Sequence, residues 1–210
     1  MNPIKIGVFG SAFNPPTLGH QDVLRQAADH FDRILLVPSA SHAFSKKLLP
    51  FAQRVAMLER FLSEAQVPQC ELELCLLEEA LLNNNPDKPV YTYDLMEALE
   101  QQYAQGQSGE DPCGEKQSGE KQSGEKKVTL GFIRGPDNAD PDTWSRFYKA
   151  DEIEQRWPLF TAEERRPVRS SLVRSLTASA TSDDNRRKVL DGLLHPSVRD
   201  FMLINKLYQV

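Results

Sequence analysis

The chain has 210 residues, 40% of them hydrophobic, enough for one well-buried core. Its formal net charge of -5 excludes a surface built mainly to follow a nucleic-acid backbone, which requires a basic stripe, but leaves room for a pocket that binds a small anion through a local positive field. No apolar run approaches the ~20 residues that cross a bilayer, and no basic segment followed by an apolar core opens the chain, so a cytoplasmic location is expected.

Ile4–Phe9 (IKIGVF) is short, rich in β-branched and aromatic residues and followed by Gly10, which reads as a buried strand. From Leu18 to Phe31 the apolar positions Val23, Leu24, Ala27, Ala28 and Phe31 recur at helical spacing. Arg33–Pro38 (RILLVP) is a second strand, and the three elements form a βαβ unit with parallel strands and a right-handed crossover. Phe51–Ala65 repeats the helical pattern through Val55, Leu58, Phe61 and Leu62, and Cys70–Leu77 (CELELCLL) alternates like a strand. An offset of five along that strand points Cys70 and Cys75 to opposite faces, and with Cys113 remote, neither a disulfide framework nor a zinc site is expected.

A third cycle runs from a helix at Tyr93–Tyr103 to a strand at Val128–Ile133 (VTLGFI). Between them lies 105–127, where QSGEK recurs and large apolar residues are almost absent. Such a stretch cannot offset its ordering entropy and is expected to be a disordered insertion in a single domain spanning 1–210. Trp157–Thr161 reads as an edge strand, and Ser170–Ala180 and Pro196–Leu207 as helices. Alternating strands and helices imply an α/β fold with a doubly wound, mainly parallel sheet and C-terminal helices.

The segment Gly10-Ser11-Ala12-Phe13-Asn14-Pro15-Pro16-Thr17-Leu18-Gly19-His20 sits where such a fold places its ligand, at the carboxyl end of a strand and the start of a helix. Glycines let the backbone approach a phosphate, prolines stiffen the turn, and free N–H groups at the helix start favour an anion. Thr17 and His20 are one turn apart there and can converge on one phosphate. The loop has neither the Gly-Lys-Ser/Thr of a Walker loop nor the GxGxxG spacing of a dinucleotide site.

GSAFNPPTLGH resembles the signature loop of the adenylyltransferases of the nucleotidyltransferase superfamily, and Val168-Arg169-Ser170-Ser171-Leu172-Val173-Arg174 is similar to their second signature, an Ile-Ser-Ser-Thr-x-Ile-Arg segment. Val90-Tyr91-Thr92-Tyr93-Asp94-Leu95, the strand Phe132-Ile133-Arg134-Gly135-Pro136-Asp137, Trp144 and the ending LLHPSVRDFMLINKLY resemble elements of bacterial nicotinate mononucleotide adenylyltransferases. The resemblance implies a Rossmann-like nucleotidyltransferase fold. It also implies attack by the 5′-phosphate of nicotinate or nicotinamide mononucleotide on the α-phosphorus of ATP, releasing pyrophosphate and forming a dinucleotide.

In that reading His20 and Thr17 serve catalysis, and Gly10, Ser11, Phe13, Gly19, Ser170, Ser171 and Arg174 bind ATP. Tyr91, Thr92, Asp137 and Trp144 bind the acceptor, with Trp144 stacking on the pyridine, and Lys46 or Lys47, following His42, reaches a phosphate. Mg2+ enters through the ATP phosphates, with no metal site of the protein's own. Two departures stand out: Arg169, where the pattern has a small residue, and Arg134, in a strand that the family keeps aliphatic. Phosphopantetheine adenylyltransferase, which shares the Thr-x-Gly-His form, and a catalytically silent nucleotide-binding homologue are the alternatives.

Overall fold

The computed structural model describes residues 3–40, 48–105 and 127–209. Strands β1 (Ile4–Ser11), β2 (Arg33–Pro38), β3 (Glu71–Leu74), β4 (Val128–Arg134) and β5 (Leu159–Thr161) form one sheet in the order β3-β2-β1-β4-β5. All four pairings are parallel, which makes this a Rossmann-like α/β fold. The order reverses between β1 and β4, so the crevice outside the carboxyl ends of these two strands is where a ligand is held in folds of this type.

The sheet is covered on both sides, which is why its strands read as continuous apolar runs. Phe9, Ile34, Leu36 and Ile133 point to one face. They pack there with α1 (Leu18–Ala27), α2 (Phe51–Glu64), α7 (Ser170–Ser179), α8 (Asp183–Leu190) and α9 (Pro196–Ile204). Ile6, Val8, Leu35, Val37, Leu130 and Phe132 point to the other face, under α3 (Leu77–Asn84), α4 (Thr92–Gln105), α5 (Pro141–Trp144) and α6 (Ala150–Arg156). Gly7 and Gly131, paired in register, leave a slot that the Phe31 ring fills. A Cβ on Gly7 would come within 2.8 Å of the ring, and one on Gly131 within 2.7 Å of it and 3.1 Å of the Pro158 carbonyl.

Several expected boundaries move for local reasons. The first helix ends at Ala27, which frees Phe31 from the helical stripe to lie over the glycines. The expected strand Cys70–Leu77 keeps only Glu71–Leu74, because the following CLLEEALL run has helical spacing, with Glu78 and Glu79 in its first turn, and turns into α3. On α2 the buried stripe is Arg54, Met57, Leu58 and Phe61 instead of one through Val55 and Leu62. The short helices α5 and α8 are capped by Asp140, which accepts from Thr143 N–H at 2.9 Å, and Ser182, which accepts from Asn185 N–H at 3.2 Å.

The QSGEK repeat with Cys113, and His42, Lys46 and Lys47, lie outside the described residues. No helix among the described residues is long and apolar enough to cross a membrane. The slot over the sheet gives a direct test: Gly131→Ala is expected to destabilise the fold by about 1–3 kcal/mol through overpacking against Phe31, read as a lower urea midpoint at unchanged slope.

Candidate active site

The loop after β1 and the segment entering α7 are joined by hydrogen bonds that span 151 to 160 residues of sequence. Thr17, fully buried at the N-cap of α1, donates its hydroxyl to the Val168 carbonyl at 2.8 Å. The Ser170 hydroxyl donates to the Pro15 carbonyl at 2.7 Å, and Arg174 Nη1 donates to the Asn14 carbonyl at 2.7 Å. Gly19 completes the join, since a Cβ there would collide with the Val168 carbonyl oxygen. Its lack of a side chain therefore serves a close approach of two backbones.

Gly10 differs: among the described residues a Cβ on it would meet nothing within 4 Å, so the packing of those residues does not require glycine at the end of β1. Ser11, half-buried, follows it. Phe13 is buried beneath the loop, its ring 5.7 Å edge-on from Phe9 and 5.0 Å from the His20 imidazole. Its φ of 44° is unusual for a bulky residue and carries strain that must be held by its surroundings. Those surroundings are specific: Arg54 Nη1 donates to the Ala12 carbonyl at 2.9 Å, and the Tyr208 hydroxyl donates to Asn14 Oδ1.

His20 is the polar side chain that the loop presents. Its Nδ1 accepts from the Thr17 backbone N–H at 3.0 Å and lies 2.9 Å from Thr17 Oγ1, while Nε2 lies 3.3 Å from Ser11 Oγ. With Nδ1 occupied as an acceptor, the proton of the neutral ring resides on Nε2, on the Ser11 side. Burial pushes its pKa down to about 4, so the imidazole is a neutral hydrogen-bond donor at physiological pH. Thr17 therefore touches both His20 and the Val168 carbonyl.

Of the remaining expected positions, Ser171 is exposed in the first turn of α7, and Thr92 opens α4 with the exposed Tyr91 just before it. Asp137 is exposed beyond the end of β4 and pairs with Arg169 Nη1 at 3.1 Å; Arg169 also pairs with Glu164 at 2.8 Å. Trp144 is buried, stacked on Phe132 at 6.0 Å and packed on Phe147 at 4.7 Å, with the Arg134 guanidinium 4.8 Å over its ring. Its ring faces are therefore occupied by protein groups. Arg134 ends β4, where its Nε donates to Thr161 Oγ1 at 3.0 Å, which accounts for a charge at the rim of an apolar strand.

The sequence reading passed over Arg54, Glu78 and Tyr208. Arg54 is almost fully buried and donates through Nε to the Leu49 carbonyl at 3.1 Å as well as to Ala12. Glu78 accepts from the Ala40 N–H at 3.0 Å at the exit of β2, and burial pushes its carboxyl up to about 7 against the lowering effects of that bond and of Arg54. A legible signal was present for one of them: Arg54 stands at i, i+4 and i+7 with Leu58 and Phe61, a charge on an apolar stripe.

The cytidylyltransferase-like family matches residues 8–176. The chain belongs to this family of nucleotidyltransferases. It is 28% identical to the nicotinate-nucleotide adenylyltransferase of Bacillus subtilis, with 98% of each chain covered. It is also 39% identical over 64 residues to a phosphopantetheine adenylyltransferase of Clavibacter michiganensis, a match that spans only 39% of that relative and 30% of this chain. Among solved structures it resembles a Vibrio parahaemolyticus protein provisionally assigned as a nicotinate-nucleotide adenylyltransferase, with TM-score 0.68, 27% identity, and 98% of this chain and 95% of that one covered. The fold is shared with the Plasmodium falciparum nicotinic acid mononucleotide adenylyltransferase complexed with NaAD, with TM-score 0.65, 14% identity, and 98% and 97% of the two chains covered.

The two shifted groups give opposite pH dependences. The folded pKa of His20 is below its ordinary 6.5, so its contribution to stability is complete above about pH 6.5 and is lost as pH falls toward 4. The folded pKa of Glu78 is above its ordinary 4.5, so its contribution is complete below about pH 4.5 and is lost as pH rises through 7. Urea midpoints of Glu78→Gln measured across pH 4.5 to 7 are expected to lose the falling component and rise more steeply with pH than the parent. Gly19→Ala is expected to lower stability by about 1–3 kcal/mol by forcing the first turn of α1 away from Val168.

Proposed function

We propose that the protein transfers the adenylyl group of ATP to a pyridine mononucleotide, nicotinate or nicotinamide mononucleotide, forming a dinucleotide and releasing pyrophosphate. The observation that carries this reading is the joined pair of segments 10–20 and 168–174, with the neutral His20 between Thr17 and Ser11. The similarity over full length to a nicotinate-nucleotide adenylyltransferase supports the acceptor.

The reaction needs no protein nucleophile, because a phosphate monoester attacks and pyrophosphate leaves; positioning and charge stabilisation suffice. Gly10 and Ser11 let the triphosphate approach the end of β1, and the N–H groups opening α7 offer donors to its charge, whereas the Leu18 N–H that opens α1 is taken by the Leu193 carbonyl at 2.9 Å. His20 donates Nε2–H to a non-bridging oxygen of the α-phosphate, where charge grows during in-line displacement. Being neutral, His20 keeps this donor without exchanging a proton with the phosphate. Arg174, anchored by Nη1 on Asn14, extends its remaining N–H groups to the β- and γ-phosphates with Ser170 and Ser171 beside it. Tyr91, Thr92 and Asp137 bind the acceptor.

In this reading Mg2+ would come with the ATP phosphates, held by their oxygens and by water, and would neutralise the triphosphate. An ATP-dependent synthesis of this kind belongs in the cytoplasm. A second reading, transfer to phosphopantetheine, is favoured by the short match to phosphopantetheine adenylyltransferase.

Pyrophosphate release from ATP, measured in parallel with nicotinate mononucleotide, nicotinamide mononucleotide and phosphopantetheine, is expected with a pyridine nucleotide. Turnover with phosphopantetheine alone transfers the assignment to the second reading, and none with any acceptor indicates a silent nucleotide-binding protein. His20→Ala is expected to lower kcat by about 10²- to 10³-fold while the thermal transition remains cooperative, as for loss of one donor to a developing charge.

A further inference from the structure

The last turn of the described chain reaches back to the signature loop. After α9, Lys206 at φ 51° and Tyr208 at φ 59° both take the left-handed region, which side chains other than glycine rarely adopt. Their surroundings hold them there: Leu207 is buried in the core and donates its N–H to the Met202 carbonyl at 2.9 Å, and the Tyr208 hydroxyl donates to Asn14 Oδ1. Asn14 is itself 2% exposed and joins three segments that are remote in sequence. Its Oδ1 also accepts from the Leu49 N–H at 3.4 Å, ahead of α2, and its carbonyl accepts from Arg174 Nη1 at 2.7 Å, on α7.

The Tyr208 phenol feels both guanidiniums that fix this loop. Burial pushes its pKa up while the Arg174 and Arg54 cations pull it down, and the net shift is upward, so the hydroxyl stays protonated and keeps its donor. Without that donor, Asn14 Oδ1 retains only the longer bond from Leu49, and the Asn14 side chain and peptide are held less tightly. Arg174 feels that loss directly, because the Asn14 carbonyl is the acceptor that orients its guanidinium. Among the described residues Arg174 pairs with no carboxylate, so no other anionic group fixes its direction.

We propose that Tyr208 is a positioning residue for the triphosphate: its hydroxyl fixes Asn14, Asn14 fixes the guanidinium of Arg174, and the end of the chain thereby sets the affinity for ATP. The proposal rests on the reading that Arg174 binds the β- and γ-phosphates, and it adds a residue outside both signatures.

The test is calorimetric titration of ATP with Mg2+ into the full chain and its variants in the absence of acceptor, followed by steady-state kinetics. Tyr208→Phe, which keeps the ring and removes the hydroxyl, is expected to weaken ATP binding and raise KM for ATP by about fivefold, as for loss of one hydrogen bond, at unchanged KM for the acceptor. Ser197→Ala is the control. It removes a bond of the same kind, from the Ser197 hydroxyl to the Arg60 carbonyl at 3.2 Å, which joins α9 to the far end of α2, and is expected to leave ATP affinity at the parent value. Tyr208→Phe with parental ATP affinity overturns the proposal and leaves the reaction assignment standing. Equal weakening by Ser197→Ala assigns the effect to the packing of α9 and also overturns it. A parent that binds no ATP overturns the reading of Arg174, and this proposal with it.

Discussion

The arrangement depends on one backbone approach, in which the first turn of α1 lies against the chain entering α7. At Gly19 the separation leaves no room for a Cβ, and Thr17 bridges the same gap with its hydroxyl on the Val168 carbonyl. This join brings the two signature segments together at one edge of the sheet. It also explains the division of labour inside the first signature. A Cβ on Gly10 would meet none of the described residues, Gly19 makes room for the Val168 backbone, and Thr17 gives its hydroxyl to Val168 and its N–H to His20.

The loop between them is held against its own strain. Its carbonyls at Ala12, Asn14 and Pro15 each receive a side-chain donor, from Arg54, Arg174 and Ser170 respectively. These donors come from α2 and α7, and Tyr208, near the end of the described chain, adds a bond to Asn14 Oδ1. A carbonyl fixed by a guanidinium cannot turn freely, so the loop is held in one conformation by its own protein. Arg54 is costly in an apolar setting, and its hydrogen bonds to Leu49 and Ala12 offset the expense of taking a cation out of water.

Strong local patterns were legible in advance. The apolar runs at Ile4–Phe9, Arg33–Pro38 and Val128–Ile133 became β1, β2 and β4, because strands covered on both faces have nothing polar to interrupt them. Pattern was misleading where one signal gave way to another, as at Cys70–Leu77, and silent for α5 and α6, which are too short to show a periodicity. Trp144 could be placed near the crevice from its position after β4, but the groups against its ring depend on Phe132, Phe147 and Arg134 meeting in space.

The sequence by itself determined the α/β class, the crossover from β1 through α1 to β2, and the position of the signature loop at a strand end, because periodicity and turn chemistry act within a few residues. The tertiary structure decided which atoms of those signatures join the two segments. Thr17, Gly19 and Ser170 are read as ligand residues when taken in chain order, yet their partners Val168 and Pro15 lie about 150 positions away. A hydrogen bond or a backbone approach over that separation exists only once the sheet has brought the two segments to the same edge.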